Sequence, residues 1–436
     1  MRLPFLLLLA IALLLIYPHG QAADQPNVVL IVSDDHAWTD YGFMGHPHIQ
    51  TPNLDRLAAE SLCFRRGYVT SSLCCPSLAT ILTGRYPHQH RITSNDPPLG
   101  KGDQPGVPRL RNPQFAAGRE IMNGFMDEAP SLPRILGRQG YLSLQTGKWW
   151  QGNFQRGGFT HGMTKGDPQS GGRHGDEGLE IGRKSMQPIY DFIRTAREQQ
   201  KPFFVWYAPL LPHDPHTPPQ RLLEKYRGKT PSLHVARYWA MVEWFDETIG
   251  QLMDHLKSSG LDENTIVAYV ADNGWIQSPG NPRYAPRSKQ SQYDGGLRTP
   301  IMIRWKGKIT PAQPDVPASS IDLAPTLLRC TGITPPESMQ GLDLRDTAAV
   351  TQRNGVFGSC FTHNAVDLQK PAKSLRWRWT IDGHWKLMLP GPNEPDAPVE
   401  LYDLSTDPHE TQNLAPAKPD DVARLRERLD QWWPGR

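Results

Sequence analysis

Asn27–Asp35 reads NVVLIVSDD. The apolar residues run without polar alternation, and most are β-branched. That pattern predicts a strand buried on both faces, as in parallel sheets covered by helices. The same arrangement returns at Thr265–Gly274, TIVAYVADNG, where a second apolar run ends on Asp272 and Asn273. In open parallel sheets ligands gather at the carboxyl ends of the strands. Asp34, Asp35, Asp272 and Asn273 are therefore candidates for one shared site. Three carboxylates and an amide oxygen make a hard donor set, suited to Ca2+ or Mg2+ and not to Zn2+. Either pair alone reads as a helix or turn cap. Two similar strand ends in one chain weaken that reading.

Outward from these runs, Tyr141–Gln145, Lys201–Tyr207 and Pro300–Trp305 carry further strand signals. Thr51 to Glu60 reads as a helix, with Pro52 at its first position and Leu54, Leu57 and Ala58 on one face. Pro76–Leu82 and Tyr238–Leu256 read as two more helices. Strands alternating with helices predict an α/β fold, a large and mainly parallel sheet sandwiched by helices. Residues 93–130 and 151–185 read as loop-rich surface excursions. Beyond residue 350 the composition changes to short Trp-rich alternations at Leu375–Thr380 and Trp385–Leu389, then a helix from about Asp420 to Trp433. This predicts a small antiparallel sheet with one helix. Trp377, Trp379 and Trp385 read as core residues of that sheet, whereas Trp149 and Trp150 are candidates for lining a pocket.

The chain begins with a basic start, an apolar run from Phe5 to Tyr17 and small residues at Gly20, Ala22 and Ala23. These are the parts of a cleaved secretory signal, and the run is shorter than the ~20 residues a membrane span needs. The expected organisation is a signal peptide at 1–23, a main α/β domain at 24–350 and an α+β subdomain at 351–436. The protein is expected to be exported, periplasmic or extracellular, without a stable membrane anchor. A formal net charge of +3 gives no electrostatic footprint for nucleic acid, and none is expected as a partner. The 42 prolines and 38 glycines exclude a helical bundle and point to a loop-rich enzyme.

The five cysteines are Cys63, Cys74, Cys75, Cys330 and Cys360, an odd number that leaves at least one sulfur without an intrachain partner. Leu73-Cys74-Cys75-Pro76-Ser77 opens a helix, where positive potential favours a thiolate or an anionic ligand. A disulfide from one of this pair to Cys63 is the competing reading. Lys148, His213 and Lys289 each follow a strand or lie in a Gly-rich loop. Singly each reads as a surface residue; together they could hold the three free oxygens of a tetrahedral oxyanion. His46, His48, His88 and His90 lack a metal-ligand spacing and read as loop residues.

Taken in order, these segments resemble the formylglycine-dependent sulfatases of the alkaline-phosphatase superfamily. PNVVLIVSDDHAWTDYG, TPNLDRLAAES, LCCPSLATILTGR, TGKWW, PHDP, ADNG, KQSQYDGGLRTP and LYDLSTDPHETQNLA carry the resemblance over nearly the whole chain. It implies that a formylglycine-generating maturation enzyme oxidises Cys74. It implies metal ligation, usually of Ca2+, by Asp34, Asp35, Asp272, Asn273 and the modified Cys74. Lys148, His213 and Lys289 match residues that hold the sulfate or assist the leaving group. The implied substrate is a sulfate ester, chiefly on a sulfated carbohydrate. A hydrated aldehyde carries two hydroxyls: one attacks sulfur as the alcohol leaves, and deprotonation of the other re-forms the aldehyde and expels sulfate. His213 or Lys289 would protonate the leaving oxygen.

Two positions depart from the family pattern. Leu78 stands where an Arg usually follows the signature Ser, and Trp150 stands where TGKW is usually followed by His. Leu78 makes no charge-assisted hydrogen bond, and indole is no base near neutral pH. The alternatives are a phosphodiester or phosphonate hydrolase of the same superfamily, or a noncatalytic binder of sulfated glycan.

Overall fold

A computed structural model of the chain describes residues 25–100, 112–166 and 180–436. The expected signal segment lies outside the described residues. The strands are β1 (Asn27–Ser33), β2 (Leu62–Tyr68), β3 (Leu142–Gly147), β4 (His161–Gly162), β5 (Phe203–Ala208), β6 (Thr265–Ala271), β7 (Arg298–Arg304) and β8 (Ala318–Ser319), followed by β9 (Val356–Phe361), β10 (Leu375–Asp382), β11 (Trp385–Pro390) and β12 (Glu400–Asp403). The first eight form one sheet in the order β4-β3-β5-β1-β6-β7-β2-β8. β1 lies at its centre, parallel to both β5 and β6. Only β7 runs against its neighbours, pairing antiparallel with both β6 and β2.

The unbroken apolar run of β1 has a direct physical cause. Val28, Leu30 and Val32 enter the core on one face of the sheet, while Val29 and Ile31 enter the core on the other. With both faces covered, no position is left for a polar residue. Each such side chain contributes about 1.5–3 kcal/mol by leaving water. On one face the helices Pro52–Ala59, Gln187–Glu198 and Leu233–Ser258 supply Leu54, Leu57, Ile189, Phe192, Phe245 and Ile249. On the other, Cys74–Thr83, Leu132–Gly137 and Leu323–Cys330 supply Leu78, Ile81, Leu136 and Leu327.

The second sheet is antiparallel, in the order β12-β11-β10-β9. The helix Pro419–Trp432 covers one face, setting Leu425 and Leu429 against Leu387, Leu389 and Leu401. Trp377 and Trp379 join the core of the large sheet from the other face, while Trp385 is half-buried. The α/β sandwich and the small C-terminal sheet agree with expectation.

Some expectations are corrected. Within residues 93–130, Pro113–Glu128 is a helix of 16 residues, capped by Asn112, whose side chain accepts the N–H of Gln114 at 2.9 Å. It buries Phe115, Met122, Phe125 and Met126, so Gly and Pro content misrepresented an amphipathic segment as loop. Within 151–185 the described residues contain a short 3-10 turn at Phe154–Gly157 and strand β4; residues 167–179 lie outside the described residues. All five cysteines are free and buried, so Cys63 is bonded to neither Cys74 nor Cys75. His88 and His90 lie on the helical turn Pro87–His90, and His90 is buried against the Thr80 hydroxyl at 3.2 Å. No helix of the described residues is long and apolar enough to cross a membrane.

Candidate active site

Strands β1 and β6 lie side by side in register, so their carboxyl ends deliver Asp34-Asp35 and Asp272-Asn273 to one place. The Asp35 N–H donates to Asp272 Oδ1 at 3.0 Å, and the Asn273 N–H donates to the same oxygen at 2.7 Å. Asn273 Nδ2 donates to Asp35 Oδ1 at 2.6 Å. Asp35 adopts φ of 61°, a left-handed conformation that Asp tolerates better than most non-glycine residues.

Cys74 enters from the first turn of its helix, with Sγ 3.4 Å from Asn273 Oδ1. Burial pushes its thiol up to about 12, against the pull of Lys148 and Lys289. The unmodified sulfur is therefore a neutral thiol near pH 7, not a thiolate nucleophile.

Both lysines reach the carboxylates. Lys148, just past the end of β3, places Nζ 2.5 Å from Asp34 Oδ1 and 3.2 Å from Asp272 Oδ2. Gly147 makes this approach possible. Its φ is +70°, and a Cβ there would lie 1.9 Å from the Ala208 carbonyl oxygen. Lys289 Nζ lies 2.6 and 2.7 Å from the two oxygens of Asp35. Burial disfavours charge on Lys148, but Asp272 and Asp34 overcome this and raise its pKa well above the ordinary value. Burial likewise opposes charge on Asp35; Lys289, then His213 and Lys148, overcome it and hold the carboxyl below its usual range. At Asp34 burial wins over Lys148 and the carboxyl is raised.

His213 completes the cluster. Its Nε2 lies 3.5 Å from Asp35 Oδ2, and its Nδ1 lies 2.9 Å from Asp214 Oδ1. Burial lowers its pKa, but Asp34 and Asp35 outweigh burial and raise it. The ring is held with Nε2 toward the carboxylates.

The donor set fits a divalent cation. Asp34, Asp35 and Cys74 bring ligand atoms within 4.8 Å of one another. Asp34 Oδ2 is buried without a hydrogen-bond partner among the described residues, which is costly unless something positive meets it. Asp34, Asp35 and Asp272 face the ammonium groups of Lys148 and Lys289, so three carboxylates meet two lysines. The tertiary structure thus gathers every residue singled out for the site.

Other residues escaped sequence reasoning. Arg183 lies in the segment expected to be loop, and its guanidinium donates to the carbonyls of Leu210 and His213, the latter at 3.0 Å, clamping the His213 loop. Arg119 is buried, bonded to Asp96 Oδ1 at 2.6 Å and to the Asn95 carbonyl at 2.9 Å. Asn95 in turn accepts the Cys75 N–H at 2.9 Å, supporting the turn that presents Cys74. Gln151 Nε2 lies 3.3 Å from Cys75 Sγ. Leu78 and Trp150 are buried in the apolar core beside this polar network. No spacing signal marked these contacts, because each joins segments far apart in sequence.

Residues 26–333 match the sulfatase family, more than half of the chain. The chain belongs to the sulfatase family. Residues 286–432 also match the C-terminal region of N-sulphoglucosamine sulphohydrolase. This sulfatase is 31% identical to N-acetylgalactosamine-6-sulfatase of Rattus norvegicus over 403 residues, covering 82% of this chain and 73% of the relative. It is 29% identical to arylsulfatase A of Homo sapiens, covering 95% of this chain and 89% of the relative. A structure solved in complex with D-glucosamine-2-N,6-O-disulfate shares its fold with a TM-score of 0.69 at 19% identity, covering 94% of this chain and 98% of that one. The chain is accordingly an enzyme of the sulfuric ester hydrolase class.

Proposed function

We propose that this sulfatase hydrolyses a sulfate ester of a sulfated carbohydrate, using Cys74 after its oxidation to formylglycine by a maturation enzyme. The convergence of Cys74 with Asp34, Asp35, Asp272, Asn273, Lys148 and Lys289 in one buried cluster carries this reading. The relatives named for sulfated sugars support the substrate class.

Asp34, Asp35, Asp272 and Asn273, with the modified Cys74, would hold Ca2+, or alternatively Mg2+. Such a cation supplies positive charge that lowers the pKa of a nearby hydroxyl and stabilises negative charge on sulfuryl oxygens. Hydrated formylglycine at position 74 would supply two hydroxyls on one carbon, one as the nucleophile toward sulfur and one as the proton source for release of sulfate. Lys148 and Lys289 hold sulfuryl oxygens through charge-assisted hydrogen bonds. His213, protonated and oriented through Nδ1 by Asp214, delivers a proton from Nε2 to the departing alcohol oxygen. Arg183 keeps that imidazole in place, and the Asn95–Arg119 network keeps the Cys74 turn in place. We assign residues 1–23 to an export signal, 24–350 to the catalytic domain and 351–436 to the C-terminal subdomain, with the mature protein periplasmic or extracellular.

Mass spectrometry of the Cys74 peptide from protein made in its native host tests the nucleophile. An aldehyde mass supports the reading, and a wholly unmodified thiol sinks it. Parallel assays with 4-nitrophenyl sulfate and 4-nitrophenyl phosphate esters test the transferred group. Sulfate release is expected to exceed phosphate release, and the reverse order would favour the phosphodiester or phosphonate alternative.

A further inference from the structure

Between the Pro87–His90 turn and the last residues of the chain lies a groove of about 610 Å³. This is within the size of small-molecule sites, about 300–1,000 Å³. Its lining includes His88, Lys370, Lys373, Trp433 and Arg436, and among the described residues that line it none carries a carboxylate side chain. The nearest acidic residues along the chain are already hydrogen-bonded, Asp367 to the groove's own backbone. Asp367 accepts the backbone N–H groups of Gln369 and Lys370, and Glu394 takes the Arg376 guanidinium at 2.6 Å. His88 stacks flat on Trp433, with ring centroids 4.5 Å apart and planes 6° from parallel. The groove therefore combines an aromatic platform with exposed cations.

The groove backs onto the nucleophile turn. Leu73, the residue before Cys74, shares a buried apolar cluster with Phe361 and Leu375, and Trp433 packs against that cluster. Trp433 and Phe361 have ring centroids 6.2 Å apart.

We infer that this groove is a second saccharide subsite, which takes a sulfated sugar unit of the same chain whose ester is cleaved at Cys74. The inference rests on the proposed carbohydrate substrate. Sulfate groups meet Lys370, Lys373 and Arg436 through charge-assisted hydrogen bonds. The apolar face of a sugar ring lies against the stacked aromatic pair. The subsite adds affinity for polymer without touching the reacting atoms.

The test compares the full-length wild type, K370A/K373A and a control, K201A/K257A, which removes two exposed lysines elsewhere. Binding of size-fractionated dextran sulfate is measured with unsulfated dextran and single-stranded DNA as comparators, alongside turnover of 4-nitrophenyl sulfate. K370A/K373A is expected to bind dextran sulfate roughly tenfold more weakly, the scale of two exposed charge contacts. Its turnover of 4-nitrophenyl sulfate should stay at the wild-type value, and the control should change neither quantity. Equal loss in both double variants, no loss in either, or DNA binding as tight as dextran sulfate would each overturn the subsite. Wild type that releases no sulfate from any ester would instead overturn the proposed function. Lysine-dependent binding of dextran sulfate would then still stand.

Discussion

Asp272 concentrates several duties in one carboxylate: it accepts the N–H groups of Asp35 and Asn273 and pairs with Lys148. Asp272→Ala is expected to lower turnover of 4-nitrophenyl sulfate by at least about 10³-fold, because the variant loses cation affinity and a fixed electrostatic partner. Its circular dichroism should remain that of the wild type, since the strand beneath is held by its own apolar core. Full activity in chelator-treated variant protein would contradict the ligand assignment. His213→Ala separates proton delivery from sulfate holding. Turnover should fall about 10²- to 10⁴-fold on an alkyl sulfate, the usual scale of general acid catalysis. The fall should be much smaller on 4-nitrophenyl sulfate, whose leaving group needs little protonation. Equal losses on both substrates would assign His213 to sulfate binding alone.

At the scale of elements, the ends of β3 and β5 and the loop after β5 set the positions of Lys148 and His213. Gly147→Ala adds a methyl 1.9 Å from the Ala208 carbonyl oxygen in a residue with positive φ. The backbone term alone costs about 1–3 kcal/mol, and the clash adds to it. Urea denaturation should register the loss, with the Lys148 approach disturbed in the same variant. Arg183→Ala removes the clamp on the carbonyls of Leu210 and His213. If Arg183 acts through His213, the double variant Arg183→Ala/His213→Ala should be scarcely slower than His213→Ala alone. Additive losses would show that Arg183 acts by another route.

Across the whole molecule, the C-terminal sheet braces the loop that carries Lys289. Lys386 on β11 is buried between Asp294, at 2.8 Å, and Glu410, at 2.6 Å. Tyr293 donates to Glu400 on β12 at 2.9 Å, and Arg376 on β10 holds the Gln290 carbonyl at 2.9 Å. The small sheet is thus part of the site's scaffold. Lys386→Met leaves the buried carboxylates of Asp294 and Glu410 facing each other without the lysine between them. It should destabilise the protein by about 3–5 kcal/mol, read from the denaturant midpoint. An unchanged midpoint would show that Lys386 does not brace the loop.

The sequence by itself announced β1, β3, β5, β6 and β7 of the central sheet and singled out the residues that the structure brings together at its edge. A strand with two covered faces has no polar position, so NVVLIVS and TIVAYV announce themselves, and their terminal Asp and Asn residues stand at the ligand-bearing edge. The second strand, LCFRRGY, was hidden because Arg65 and Arg66 interrupt its apolar run. The Pro113–Glu128 helix was hidden by the Gly and Pro content of its surroundings. Only the tertiary structure decided how the lysines divide among the carboxylates, which backbone carbonyls Arg183 clamps, and that Arg119 and Asn95 support the Cys74 turn. Those contacts depend on distance in space between segments remote along the chain, and a local pattern of hydrophobicity records burial but not the partner that burial brings.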